Sequence, residues 1–508
     1  MVSRWSVCLA VGLLVGIVHE CGARDVFLTI GGGGGPTNNQ ISLERNVLLC
    51  QRYLAESFDE NIEHVIFFAD GEGDLRDLQF IDEGPIPQVN ERLAQVFGQT
   101  GNLRHRYRSN EVPGIRGPAT RSNLDGWFQN EATKLIEGDR LFVYVTAHGG
   151  KGERDTPENT KLYLWGRESI DVRQFHQWLT AVDPQVPVVV VMVQCYSGGF
   201  ADMLYADMEK PIPVDRPWCG FYATVPDRVA AGCTADTKEE DYHEYSTYFF
   251  EALRGETRTG APVTQPDFDG DGLISLEEAH SYVLINSKTI DISIRTSDQY
   301  LRKLEFEVAE GETSLDRDSD IETLRQFATP ADLAVLDGLI TELGIDPQEP
   351  SRGAEALADR MKDEKRDHDR DRRQAGQEST NAANGIKGLV THRWPELSNP
   401  WSPYTQQLIV EQSDAIVQAI EGHPGFAKLV EQATAASTLG EESMSCERRW
   451  VKCQRLIRLL ETLALRGNLE QFGDLDARET YQRLLSLEQV VYSRQPAGDA
   501  FPVSSNVR

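Results

Sequence analysis

Arg140-Leu141-Phe142-Val143-Tyr144-Val145-Thr146-Ala147-His148-Gly149-Gly150 and Val188-Val189-Val190-Val191-Met192-Val193-Gln194-Cys195-Tyr196-Ser197-Gly198-Gly199 follow one plan. Each is a nearly unbroken apolar run that delivers a single reactive side chain and then turns on glycine. A strand with one wet face alternates apolar and polar residues. A continuous run fits a strand buried on both faces, as in a parallel sheet covered by helices. The stretch between His148 and Cys195 is long enough for one crossover helix, read at residues 172–181. The two runs are therefore expected to be neighbouring strands, with His148 and Cys195 side by side at their carboxyl ends, where such sheets bind ligands.

The surrounding sequence repeats the pattern. Residues 26–30 (VFLTI) and 64–68 (HVIFF) read as strands, residues 220–224 (GFYAT) as a fifth, and residues 123–137 as a helix. Thr37 with Gln40 three residues on resembles a capping box that opens a helix running to about Ala55. The glycine run from Gly31 to Gly35 lacks the spacing of a dinucleotide fingerprint, because its sixth position is Pro36, and no Lys-Ser/Thr follows it. A tight backbone turn is the better reading. The fold expected is α/β, a mostly parallel sheet with helices on both faces over residues 24–260. Residues 261–304 surround a metal-type loop. Residues 305–508 are read as helical, with a solvated charged run at 360–373 and a flexible joint at 374–388.

At 508 residues the chain holds about three units of roughly 150 residues. Its net charge of −29 argues against phosphate-backbone binding, which needs a basic face, so no nucleic-acid partner is expected. Arg4, the apolar residues 7–18 and the small residues Cys21-Gly22-Ala23 read as a secretory signal at 1–23, cleaved after Ala23. The apolar run is too short to span a bilayer comfortably, and no later run approaches 18 apolar residues. A secreted or periplasmic protein with no membrane contact after cleavage is expected. Beyond the leader, Cys50, Cys195, Cys219, Cys233, Cys446 and Cys453 are too sparse for a disulfide framework. Cys446 and Cys453 on one helix would lie about 10.5 Å apart, too far for a mutual disulfide.

A thiol beside an imidazole is nucleophile and proton carrier, and Gly149 lets a backbone N–H approach a developing oxyanion. The two quoted runs resemble the clan CD cysteine peptidases, most closely the legumain-like variant. Residues 220–224 followed by 230–233 resemble the strand after the catalytic cysteine there. The resemblance covers roughly residues 25–255 at the level of motifs and topology. It implies a caspase-like fold, protein or peptide substrates, Cys195 as nucleophile and His148 as proton donor to the leaving group. It also implies an oxyanion hole from the Gly149 and Cys195 amides. Val193 stands where legumains carry Glu, and Asn38-Asn39 where they carry Arg-His, so no Asn or Asp preference is transferred. Asp227 and Glu239-Glu240-Asp241 are acidic candidates for a basic substrate side chain, or a solvated loop. The resemblance further implies that residues 305–508 are a prodomain or a partner-binding domain. A catalytically inactive caspase-like scaffold and a transamidase using the same dyad are the rival readings.

Asp267-Phe268-Asp269-Gly270-Asp271-Gly272-Leu273-Ile274-Ser275-Leu276-Glu277-Glu278 matches an EF-hand calcium loop. Asp267, Asp269 and Asp271 supply carboxylates at loop positions 1, 3 and 5. Gly272 makes the sharp turn, Leu273 offers its carbonyl, Ser275 sits at position 9 and Glu278 at position 12. An all-oxygen set favours Ca2+ over a transition metal. Helices are expected on both sides of the loop.

Overall fold

The computed structural model describes residues 23–58, 62–208, 212–308 and 310–492. The leader read at 1–23 lies outside them apart from Ala23. The central sheet has seven strands: β1 (Asp25–Gly32), β2 (Glu63–Phe68), β3 (Ile115–Gly117), β4 (Arg140–Ala147), β5 (Val188–Met192), β6 (Trp218–Tyr222) and β7 (Ile294–Arg295). Their order is β7-β6-β5-β4-β1-β2-β3, parallel throughout except β6 with β7. The apolar runs are buried on both faces, as their lack of alternation required.

Successive residues of each strand feed two cores. Leu141, Val143 and Val145 meet Val188, Val190 and Met192 on one face, under helices α3 (Arg121–Asn130) and α4 (Val172–Leu179). Phe142, Tyr144, Val189 and Val191 face the other way, against α1 (Ile41–Ser57), α5 (Tyr245–Arg254) and α6 (Leu276–Asn286). α2 (Gln88–Phe97) lies between the two strands of a small antiparallel ribbon that pairs Leu78–Ile81 with His105–Arg108. The capping box read at Thr37 does not start a helix. Residues 36–38 make a single tight turn, and α1 begins at Ile41 with Gln40 as its N-cap.

A small antiparallel sheet joins Gly149–Gly150, Lys161–Leu164 and Glu168–Asp171, and from Thr296 onward the elements are helical: α7 (Thr296–Leu301), α8 (Ile321–Arg325), α9 (Pro330–Leu343), α10 (Pro350–Arg393), α11 (Pro403–Glu411), α12 (Ser413–Glu421), α13 (Phe426–Phe472) and α14 (Leu475–Glu488). The charged run at 360–373 is a solvated helix face, laced by pairs such as Lys365–Asp369 and Arg370–Asp367. The flexible joint expected at 374–388 is instead continuous α10. Its small residues, Ala375 and Ala383, are buried where α13 runs alongside, and Ile386 seals the contact. Packing thus overrides a composition that reads as a linker. Cys446 and Cys453 are buried free thiols in the core between α9, α10 and α13.

The helical half shares the sheet's cores. Val451 of α13 belongs to one and Tyr481, Leu484 and Tyr492 to the other. Tyr492 sits against Phe142 (ring centroids 5.2 Å apart) and under the Arg140 guanidinium (4.6 Å). Among the described residues, no helix is long and apolar enough to cross a membrane.

Candidate active site

β4 has β1 on one side and β5 on the other, so the carboxyl ends of β1, β4 and β5 meet at the centre of the sheet. In open α/β sheets this is where a ligand crevice forms. Thr146 is level with Gly31, and the Val193 N–H donates to the Val145 carbonyl (3.0 Å). The structure thereby brings His148, Gly149 and Cys195 together at one edge. Gly149 is packed so tightly that a Cβ there would overlap the Cys195 carbonyl oxygen.

His148 is half-buried. Its Nε2 lies 2.8 Å from the Asn38 carbonyl and 3.0 Å from Gln40 Oε1. A carbonyl only accepts, so Nε2 carries the proton and Nδ1 keeps the lone pair. Burial pushes the imidazole below its ordinary pKa, opposed by the Asn38 bond, so it is neutral at pH 7. The Asn38 carbonyl is brought there by the glycine turn: the Gly33 N–H donates to Asn39 Oδ1 (3.0 Å), and a Cβ on Gly33 would collide with Asn38. The run from Gly31 to Gly35 is thus a backbone turn that serves the histidine.

Cys195 Sγ receives the Ala230 N–H at 3.3 Å. Burial raises the thiol pKa and that amide lowers it. The net shift is upward, so the resting pair is a neutral thiol and a neutral imidazole. Among the described residues no hydrogen bond joins the two side chains. Tyr196, next in the chain, has φ of 60°, a left-handed conformation that costs a non-glycine residue about 1 kcal/mol or more. Its N–H donates to the Arg228 carbonyl (2.8 Å) and its carbonyl accepts from Thr160 Oγ1 (2.9 Å), which together hold the turn. Val193, two residues before the cysteine, is buried in the apolar core. Of the acidic candidates, Glu239 is 3.6 Å from Arg45 and 3.8 Å from Arg258.

Asn38, Gln40 and Ala230 touch the two key side chains, yet none carries a chemical motif. In the sequence Gln40 suggests only a helix-capping residue. Its place beside His148 depends on where the turn ends, which the glycine run leaves open.

The second cluster is the acidic loop before α6. One carboxylate oxygen each from Asp267, Asp269 and Asp271 lies within 4.8 Å of the others, and all three residues are exposed. Gly270 and Gly272, at φ 78° and 84°, make the turns that only glycine makes freely. The Leu273 N–H donates to Asp271 Oδ1 (2.7 Å), and Ser275 is the N-cap of α6. Glu278 is buried and folded back: Oε1 accepts from the Phe268 N–H (2.7 Å) and Oε2 from the Ser275 N–H (2.9 Å). The loop has an exiting helix but no helix leading directly into it. α5 ends at Arg254, capped by Gly255 at φ 73°, and residues 255–266 form no helix. Pro262 and Pro266 in that stretch oppose helix continuation.

No family model matches the sequence, and a search of curated proteins finds no match either.

Proposed function

We propose that the chain is a secreted cysteine endopeptidase with a caspase-like, legumain-type catalytic region and a calcium-binding loop of EF-hand type. The observation that carries the reading is the meeting of His148, Gly149 and Cys195 at adjacent carboxyl strand ends, with Nε2 of the histidine committed to the Asn38 carbonyl. In the proposed reaction Cys195 Sγ attacks the substrate carbonyl carbon. The S–C bond forms, the C–N bond breaks, and the thiol proton leaves with the amine by way of His148 Nδ1. Water then hydrolyses the thioester. The Gly149 and Cys195 amides are assigned to the oxyanion. Because both groups start neutral, the proton moves during attack and not before it.

The loop chemistry suits calcium. Three aspartate oxygens are already gathered, and Glu278 is the remaining carboxylate of the set. When bound, the ion supplies positive charge that fixes the loop at the start of α6.

The test is labelling by an electrophilic thiol probe, with calcium and with chelator, followed by incubation with a mixed peptide library. Cys195 is the expected labelled residue, and Cys195→Ala is expected to remove cleavage. Cleavage by Cys195→Ala at the wild-type rate would sink the assignment. Library products joined to an added amine in place of free carboxylates would identify a transamidase.

A further inference from the structure

Consecutive backbone amides serve the candidate nucleophile and a buried carboxyl group. The Ala230 N–H points at Cys195 Sγ (3.3 Å), and the next one, of Ala231, donates to Asp291 Oδ1 (2.6 Å). Asp291 is fully buried, and its Oδ2 has no hydrogen-bond partner. Its backbone carbonyl accepts from Nε and Nη2 of Arg455 on α13, at 2.9 and 2.7 Å. Arg455 Nη2 also reaches Thr289 Oγ1 at 3.0 Å. A helix from the far end of the chain therefore grips the 289–291 segment, which grips the 230–231 segment lying on the sulfur.

We propose that Asp291 is a positioning residue for the nucleophile: it holds the Ala230 amide on Cys195 Sγ and opposes thiolate formation through its own negative charge. This rests on the reading of Cys195 as the nucleophile. The Arg455 guanidinium offsets part of the cost of burying this carboxylate, but its hydrogen bonds go to the Asp291 backbone carbonyl and Oδ2 is left without a partner. Burial pushes the Asp291 carboxyl up to about 7, against the lowering effects of the Ala231 amide and Arg455. The Asp291 charge in turn adds to the upward push on the Cys195 thiol. The groups facing Asp291 are Arg455 from α13, Glu244 at the N-cap of α5, Tyr245 of α5, Thr289 of its own segment and Cys195.

The sign follows. Below neutral pH Asp291 is protonated and does not oppose the thiolate; above it, the carboxylate does. For a lone thiol the logarithm of the alkylation rate rises with unit slope up to its pKa. Here the line should flatten around pH 7 and then resume. His148 can flatten it too, but burial lowers its pKa from the ordinary imidazole value, which moves that feature to lower pH.

The experiment is iodoacetamide alkylation of Cys195 in the full chain between about pH 5 and 9, read by peptide mapping, for wild type and Asp291→Asn. Asparagine keeps an oxygen for the Ala231 N–H and removes the charge. The variant should lose the flattening near pH 7 and alkylate about threefold faster or more at about pH 8. A straight wild-type line through pH 7 overturns the proposal, and so does flattening that survives in Asp291→Asn. Should the variant fail to fold, a straight wild-type line still overturns the proposal, and so does loss of the flattening near pH 7 in His148→Gln, which keeps Asp291. Alkylation reports on the sulfur whether or not peptides are cleaved. A chain that cleaves nothing yet keeps the flattened profile would lose the peptidase reading and retain the role of Asp291.

Discussion

Gly149 has no room for a side chain, because a Cβ there would overlap the Cys195 carbonyl oxygen and come within 2.8 Å of Gln194 Cγ. Neither neighbour can yield cheaply, since one is backbone and the other belongs to a buried residue. Gly149→Ala should therefore push the two strand ends apart. A misplacement of about 1 Å costs on the order of 100-fold in rate, so cleavage should fall by about that factor. Most of the strand pairing lies away from the substitution, so the melting temperature should change little. Comparing turnover with the melting curve checks this, and wild-type turnover in Gly149→Ala would refute it. At this scale the sequence was readable where chemistry and backbone coincide. His148, Gly149 and Cys195 could be picked out because an apolar strand runs into each site. Asn38, Gln40 and Asp291 could not, because they come from turns and loop segments, where no periodicity tells which way a side chain points.

Among the elements, the acidic loop is the piece whose residues were legible and whose frame was only half so. Its carboxylates and glycines follow a fixed spacing, which survives in a sequence. The incoming helix was expected from α5, but Gly255 ends that helix well short of Asp267. Glu278 does two jobs in this frame. It accepts from the amides of residues 268 and 275, and with Ser275 it closes the capping box of α6. Glu278→Gln should therefore weaken calcium binding at least 10-fold by removing a charged ligand. It should also cost about 1 kcal/mol of stability without calcium, through the weakened cap. Calorimetric titration reads the first effect and a melt in chelator the second. Absence of calcium binding by the wild-type chain at millimolar concentration would end the metal reading. α10 is the opposite case. Its small, polar residues 374–388 suggested a joint, and only the run of α13 beside it makes them helical.

The whole molecule bears on what the helical half does. α10 and α13, with 44 and 47 residues, form a pair about 65–70 Å long. At one end Ala354, Leu357 and Met361 pack against Cys453, Leu456 and Leu460. At the other, Ile386, Val390 and Leu429 cover Val89, Leu93 and Val96 of α2. In between, Glu447 pairs with Arg228 (2.5 Å), whose carbonyl holds the residue after Cys195. A prodomain reading predicts higher activity for a chain ending near Thr313. The packing predicts the reverse, because that chain loses Val451, Tyr481, Leu484 and Tyr492 from the cores of the sheet. Losing one large core side chain costs about 3–5 kcal/mol, and a typical domain has about 5–15 kcal/mol in all. The truncated chain should show no cooperative melt and no specific labelling of Cys195. Removing only residues 363–444 and closing the pair with a short turn is a different operation. It keeps Glu447, Val451, Arg455 and α14, and it bares chiefly the apolar face of α2. This shortened chain should melt cooperatively and label at Cys195. Its turnover relative to the full chain then measures any restraint exerted by the outer part of the pair, free of the unfolding that the longer deletion brings. A cooperative melt from the chain ending at Thr313 would mean that the sheet is stable without α13 and α14, contrary to this account of its cores.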